Sequence, residues 1–200
     1  MKIRPSELEI ALAKGPDEVA AASEVLLRSF AGHENARLGA SYARAFLRAF
    51  EIDRARSLHV ARVEGRIVGF TTGEPGDARA ERYRHLRPAA AAAFFRRPWL
   101  LLNPAILHMA GARLIGGSGD APPPACWFLP LIGVDPDFHG QGIGRELLRA
   151  FEEDGRRRGF PEAILFVLEA NPGARALYES SGWRIAGRPG RRRLVYQRSL

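Results

Sequence analysis

Cysteine is almost missing from this 200-residue chain, and Cys126 stands alone. A lone thiol has no intrachain partner and no Cys/His cluster stands at zinc spacing, so neither a disulfide framework nor structural zinc organises the fold. A reducing, cytoplasmic setting is the expectation. His33, His59, His85 and His108 have no ligand partner three or four residues further on, and no metal is expected. Lysine is nearly as scarce. Of 30 basic residues only Lys2 and Lys14 are lysines, and the net charge of +8 is spread over arginines that cluster only at 156–158 and 191–193. The aromatic residues lie on apolar stripes rather than between those clusters, which disfavours base stacking and hence a specific nucleic-acid partner. The basic surface is either solvated or attracts an anionic ligand such as a phosphorylated cofactor. Long apolar runs are missing too. Residues 98–115 are broken by Asn103, Pro104, His108 and Arg113, whereas a bilayer span needs roughly 20 apolar residues. The opening MKIRPSELEI has no apolar leader, so neither export nor a transmembrane segment is expected.

What is present suits one soluble domain over residues 1–200: 46% of residues are hydrophobic and 26% charged. Leu8 to Ala13 reads as a strand, and Gly15-Pro16 turns it into a helix with Val19, Ser23, Leu26, Leu27 and Phe30 at helical period, stopped by Gly32. A second helix spans Ser41 to Ile52, capped by Ser41, with Tyr42, Phe46, Leu47 and Phe50 on one stripe. Ser57 to Val63 and Arg66 to Gly73, joined by Glu64-Gly65, form a tight hairpin. Residues 75–124 then interrupt the alternation with a basic, apolar, helical insertion, in which Ala89 to Phe95 and Leu100 to Leu114 favour helix. It reads as a cap on the core, a lid over an acyl or apolar substrate, or a surface that meets a membrane or a second copy.

Cys126 to Val134 is nearly continuously apolar, as in a strand buried on both faces. Pro130 within it cannot donate to a ladder and predicts a bulge or a gap between neighbouring strands. A turn at 135–138 leads into His139, Gly140, Gln141, Gly142, Ile143 and Gly144, then the amphipathic helix Arg145 to Arg158. Ala163 to Leu168 is a second buried strand, Asn171 starts a helix through Ser180, and Arg184 to Gly187 and Leu194 to Arg198 close the chain as strands. A glycine loop between a buried strand and a helix N-terminus is an anion site: the glycines let a phosphate approach and the first helical N–H groups are unpaired. Neither the P-loop pattern nor GxGxxG fits, because Arg145 occupies the third glycine position.

The stretches LIGVDPDFHGQGIGRELL and NPGARALYESSGW resemble the two halves of the acyl-CoA site of the GNAT superfamily of N-acetyltransferases. The resemblance implies an α/β fold: a mixed central sheet of about seven strands, splayed at the acyl-CoA slot and flanked by helices, with the insertion as the main addition. It implies that backbone groups of Ile132 and Val134 hold the pantetheine arm and the thioester carbonyl. The loop from His139 through Gly140, Gln141, Gly142, Ile143, Gly144 and Arg145 would cradle the pyrophosphate of acetyl-CoA. Asn171 would contact the arm and Tyr178 would lie beside the sulfur. Such loops usually open on Gln or Arg, and His139 departs from that pattern.

An amine held opposite the thioester attacks directly, backbone N–H groups steady the oxyanion, and Tyr178 protonates the departing thiolate. Cys126 lies at the start of the strand and reads as a core thiol. For the base, Glu74, Glu169, Asp135, His139 and ordered water are the candidates. The leading expectation is an acetyl-CoA-dependent acetyltransferase for a small-molecule primary amine. A protein N-terminus or lysine as acceptor, and a non-catalytic acyl-CoA-binding module, are the alternatives. The apolar insertion offers a surface on which a homodimer could form.

Overall fold

The computed structural model describes residues 7–31, 34–102, 122–189 and 192–200. Among them the chain runs β1 (Leu8–Leu12), α1 (Gly15–Ser29), α2 (Glu34–Arg37), α3 (Ala40–Glu51), β2 (Ser57–Val63), β3 (Arg66–Pro75) and α4 (Arg79–Arg96). After a 3-10 turn at Pro98–Leu102 follow β4 (Trp127–Leu129), β5 (Ile132–Val134), α5 (Ile143–Arg157), β6 (Glu162–Leu168), α6 (Pro172–Ser180), β7 (Arg184–Gly187) and β8 (Arg193–Ser199). The sheet has eight strands rather than about seven: β1-β2-β3-β4-β6-β8-β7, with β5 paired to β3 off that path. Pairing is antiparallel except between β4 and β6. Among the described residues no helix is long and apolar enough to cross a membrane, and most of the 98–115 stretch lies outside them.

The β2–β3 hairpin forms as its sequence requires, with Glu64 at φ 51° and Gly65 at φ 80°, the positive pair of a type I′ turn. Three helix boundaries differ from expectation. Ser41 is not the cap of α3: Gly39 at φ 90° is the N-cap, so the helix begins at Ala40. Helix α5 begins at Ile143 rather than Arg145, because the left-handed Gly142 already turns the chain. The insertion helix begins at Arg79, ten residues before Ala89, and passes through Pro88. Helix α1 ends at Ser29, capped by the N–H of Phe30 on the Leu26 carbonyl, while Gly32 and most of the stretch from Leu100 to Leu114, expected as helix, lie outside the described residues.

Helices α1, α3 and α4 cover one face of the sheet, where Val19, Leu26, Tyr42, Phe46, Leu47 and Phe50 meet Leu58, Val60 and Phe70. Helices α5 and α6 cover the other. There Trp127, fully buried, stacks on Phe151 at 6.0 Å. A Cβ at Gly73 would stand 2.5 Å from its indole and one at Gly155 2.7 Å, so the two glycines admit the ring between β3 and α5.

Helix α4 is weakly apolar and is held by charge. Arg82 forks onto Glu74 through two 2.9 Å bonds, with both side chains buried. Its guanidinium also lies over the rings of Phe46, Phe50 and Tyr83 at 5.0, 5.2 and 4.6 Å. Arg56 adds a second cation 3.4 Å from Glu74. Breaking such a pair strands a buried charge, whereas replacing both members by apolar groups does not. Arg82→Met leaves Glu74 with Arg56 alone and should cost about 3 kcal/mol in urea unfolding, and Glu74→Leu combined with Arg82→Met should recover part of it, because Arg56 keeps Asp53 and Glu81. A single variant as stable as the parent would show that the pair does not anchor α4.

Candidate active site at a forked strand

The site begins where one strand fails to continue. β4 pairs with β3 through Glu74↔Phe128 and Pro75↔Trp127, and β5 pairs with β3 through Gly69↔Val134 to Thr71↔Ile132. Pro130 and Leu131 lie between, and Thr72 bridges the break. Its N–H donates to the Leu131 carbonyl at 2.9 Å, and its hydroxyl takes the Leu131 N–H and donates to the same carbonyl, both at 3.0 Å. The parallel pairing of β4 with β6 ends at Leu129↔Leu165. Beyond that point, among the described residues, β5 pairs only with β3, so the fork that Pro130 predicts is present.

Register then decides which groups face the gap. Asp135 donates to Val68 and Thr72 to Leu131, so these pairs are bonded across to β3. Antiparallel alternation turns the N–H and C=O groups of Ile132 and Val134 the other way, into the gap beside β6. The Val134 carbonyl already carries two partners, Ser29 Oγ at 2.8 Å and His139 Nε2 at 2.9 Å. A carbonyl only accepts, so His139 holds its proton on Nε2 and its ring is turned back onto β5.

The loop that follows is braced from below. Asp135 is buried, receives Arg28 at 2.8 Å and Arg66 at 3.2 Å, and caps the short turn through the Asp137 N–H at 3.1 Å. Arg28 also bonds Asp137 at 2.8 Å and holds that carboxyl below its ordinary range. Asp135 is thus committed to structure. Above it, Gly140 at φ 72° and Gly142 at φ 84° have nothing within 4 Å of where a Cβ would stand. The conformation demands glycine, and the space is open to a ligand. Gly142 caps α5 without a side-chain hydrogen bond, so the first N–H groups of the helix keep their anion-binding character. The Arg145 N–H turns inward to the Gly142 carbonyl at 3.0 Å. A Cβ at Gly144 would stand 3.3 Å from Leu177, so this position sets how closely α5 packs on α6.

Asn171 caps α6, accepting the Ala174 N–H at 3.1 Å. Two turns on, Tyr178 is 4% exposed, with its ring 6.1 Å from Trp183 and 5.7 Å from Tyr196. Burial, with Tyr196 adding to it, pushes the phenol well above its ordinary range, so it stays protonated. Tyr196 donates to Glu179 at 2.5 Å and ties α6 to β8. Besides Asp135, the two other carboxylates considered as bases are also engaged: Glu74 holds Arg82 through both oxygens, and Glu169, exposed at the end of β6, pairs with Arg188 at 2.7 Å. Burial pushes the Cys126 thiol up to about 12, as befits a core residue. Sequence reasoning missed Ser29, Thr72 and Arg28. Each acts through a partner more than 50 residues away in the chain, and no local pattern marks them.

Comparison with known proteins agrees with this fold. Mycothiol acetyltransferase of Geodermatophilus obscurus is 37% identical over 95 residues, which cover 43% of this chain and 30% of that protein. The ribosomal protein bS18 alanine N-acetyltransferase of Escherichia coli K12 is 44% identical over 55 residues, covering 28% of this chain and 37% of that protein. The matches therefore span well under half the length of these relatives. The crystal structure of the E. coli S18 enzyme superposes with TM-score 0.59 at 17% identity, over 96% of this chain and 93% of that one. A Thermoplasma acidophilum PaiA N-acetyltransferase in complex with coenzyme A gives 0.63 at 14%, over 96% and 99%. At such identities the likeness is one of fold. Residues 24–183 match the Acetyltransferase (GNAT) family, and the chain belongs to it.

Proposed function

We propose that this chain is an acetyl-CoA-dependent N-acetyltransferase that acts in the cytoplasm on a primary amine of a small molecule, by direct attack and without a covalent enzyme intermediate. One observation carries the reading: among the described residues the β5 edge that faces the gap pairs with no strand, and it leads through a short turn into a glycine loop and a helix N-terminus without a side-chain cap. Open backbone groups suit the amides of a pantetheine arm, and the loop suits a diphosphate. When bound, acetyl-CoA supplies an activated acyl thioester.

The chain's own groups do the rest. Ile132 and the N–H of Val134 hold the arm along the fork. His139, Gly140, Gln141, Gly142, Ile143 and Gly144 form the phosphate cradle, with Arg145 beside it in the first turn of α5 although its own N–H is turned to Gly142, and Asn171 borders the arm. The backbone N–H groups of β5 steady the charge that develops on the carbonyl oxygen. Tyr178, held neutral by burial, gives a proton to the leaving sulfur. Glu74 and Glu169 hold arginines in this reading, and water takes the proton that the amine loses. The relatives include enzymes named for mycothiol and for a ribosomal protein alanine, and the reading favours the small molecule.

Calorimetric titration with acetyl-CoA is expected to show one site. Gly142→Glu should weaken it at least 100-fold, because it places a carboxylate at φ 84° where phosphate oxygens belong. Unchanged affinity would remove the site from this loop. Tyr178→Phe should lower kcat roughly 100-fold, the scale of general acid catalysis, while the acetyl-CoA Kd stays within about twofold. Undiminished turnover would exclude the phenol as the acid.

A further inference from the structure

Among the described residues α5 and α6 cover one side of the fork, while on the other α1 packs on β5 and half-buried and exposed side chains of β6 and β8 border the gap. Toward α5 and α6, the side chains of Ile132 and Val134 pack on Ile143 and Leu147, with Leu177 and Tyr178 beside them. An amine has to reach a thioester held in the fork from the opposite face of the sheet.

That face is apolar from the fork outward. Along β6 the residues facing α5 and α6 are Ala163, Leu165 and Val167, so Ile164, Phe166 and Leu168 face the other way. Phe166 is the first residue beyond the last β4–β6 pair, stands opposite Val195 of β8, and has its ring 5.4 Å from that of Phe128. Phe166 and Val195 are half-buried and Leu168 is 52% exposed. The carboxylate on this face, Glu74 opposite Phe128, is itself 0% exposed and holds Arg82. Glu162 and Gln197 lie at the far end of β6 and are bonded to each other, and Glu169 beyond Leu168 pairs with Arg188. Arg193 stands opposite Leu168 in register.

Among the described residues Glu74, Glu162 and Glu169 around this floor are committed to partners, Asp77 stands exposed on the Cys126 side, away from Leu168, and apolar surface lies next to the reacting position. Resting on the acyltransferase reading, we infer that the acceptor is an amine carried on an apolar body, an aryl or branched alkyl group, which lies on Phe166, Leu168 and Val195. The same floor prepares the nucleophile. Desolvation disfavours the ammonium form and lowers the pKa of the bound amine, so the free base forms without a dedicated carboxylate. The nitrogen lone pair then makes the C–N bond to the thioester carbonyl carbon and the C–S bond breaks. Tyr178 protonates the sulfur, and the proton shed by the nitrogen returns through water to the phenolate. For an amine that arrives as ammonium, one proton is released to solvent.

The test is acetyl-CoA-dependent thiol release with phenethylamine and isoamylamine against ethanolamine and putrescine, beside calorimetry with acetyl-CoA. The apolar amines are expected to show roughly 10- to 100-fold higher kcat/KM, the effect of burying about 60–100 Å² of apolar surface. The kcat profile for phenethylamine should turn over below that amine's own pKa. Phe166→Ala should remove most of the preference, and Leu168→Asp, at an exposed position, should shift it toward putrescine, with acetyl-CoA affinity unchanged in both. Equal or faster turnover of ethanolamine and putrescine, a preference untouched by both variants, or no turnover of any of the four by protein that binds acetyl-CoA, would overturn the inference and leave the donor site standing. Failure to bind acetyl-CoA would overturn the reading on which it rests.

Discussion

A single hydroxyl keeps the fork open. Where Pro130 removes an N–H and the strand has to step sideways, Thr72 supplies a donor and an acceptor to Leu131 from one side chain. Without it, the Leu131 N–H would be buried without a protein partner at the centre of the sheet, a loss on the scale of a full hydrogen bond. With it, β4 stays parallel to β6 while β5 follows β3, and the edge between them faces the gap. The loop, the helix dipole and Tyr178 all take their places from that divergence.

Around the fork, interactions divide by kind. Close packing fixes distances on the α5 and α6 side, where Gly144 meets Leu177 and the indole of Trp127 fits between two glycines. Ion pairs fix orientation on the other side: Arg82 holds α4 to β3, and Arg28 holds α1 to the turn before the loop. An apolar contact tolerates small slides, whereas a forked guanidinium and carboxylate pair does not. The elements that border the open face are therefore held by directional bonds.

Much of this was legible in the residues. Proline's missing donor and glycine's positive φ are local properties, so Pro130 and the 139–144 loop could be read without a structure. The hairpin at Glu64-Gly65 belongs to the same kind. Helix α4 was read short because its first half, RAERYRHLRP, looks like a solvated charged stretch. What holds its first half to the sheet is Arg82 reaching Glu74 in the neighbouring strand, which no periodicity reports. The cap of α3 was misplaced because Ser41 is a good cap by type, while the backbone had already turned at Gly39. Glu74 looked like a candidate base from its place at a strand end; only its partners reveal that its charge is spoken for.

The bracing of Asp135 and Asp137 reaches beyond the turn that it stiffens. Two carboxylates stand immediately before a loop suited to a polyanion, and charges so near one another are only partly screened by physiological salt. Left bare, they would oppose an incoming diphosphate at the spot where the dipole of α5 invites it. Arg28, bonded to both, and Arg66, bonded to one, cancel that repulsion within the protein itself. A helix on the far side of the sheet edge thereby sets the electrostatic potential at the mouth of the loop, and the rate at which an anionic ligand is captured becomes a property of α1 as much as of the glycines.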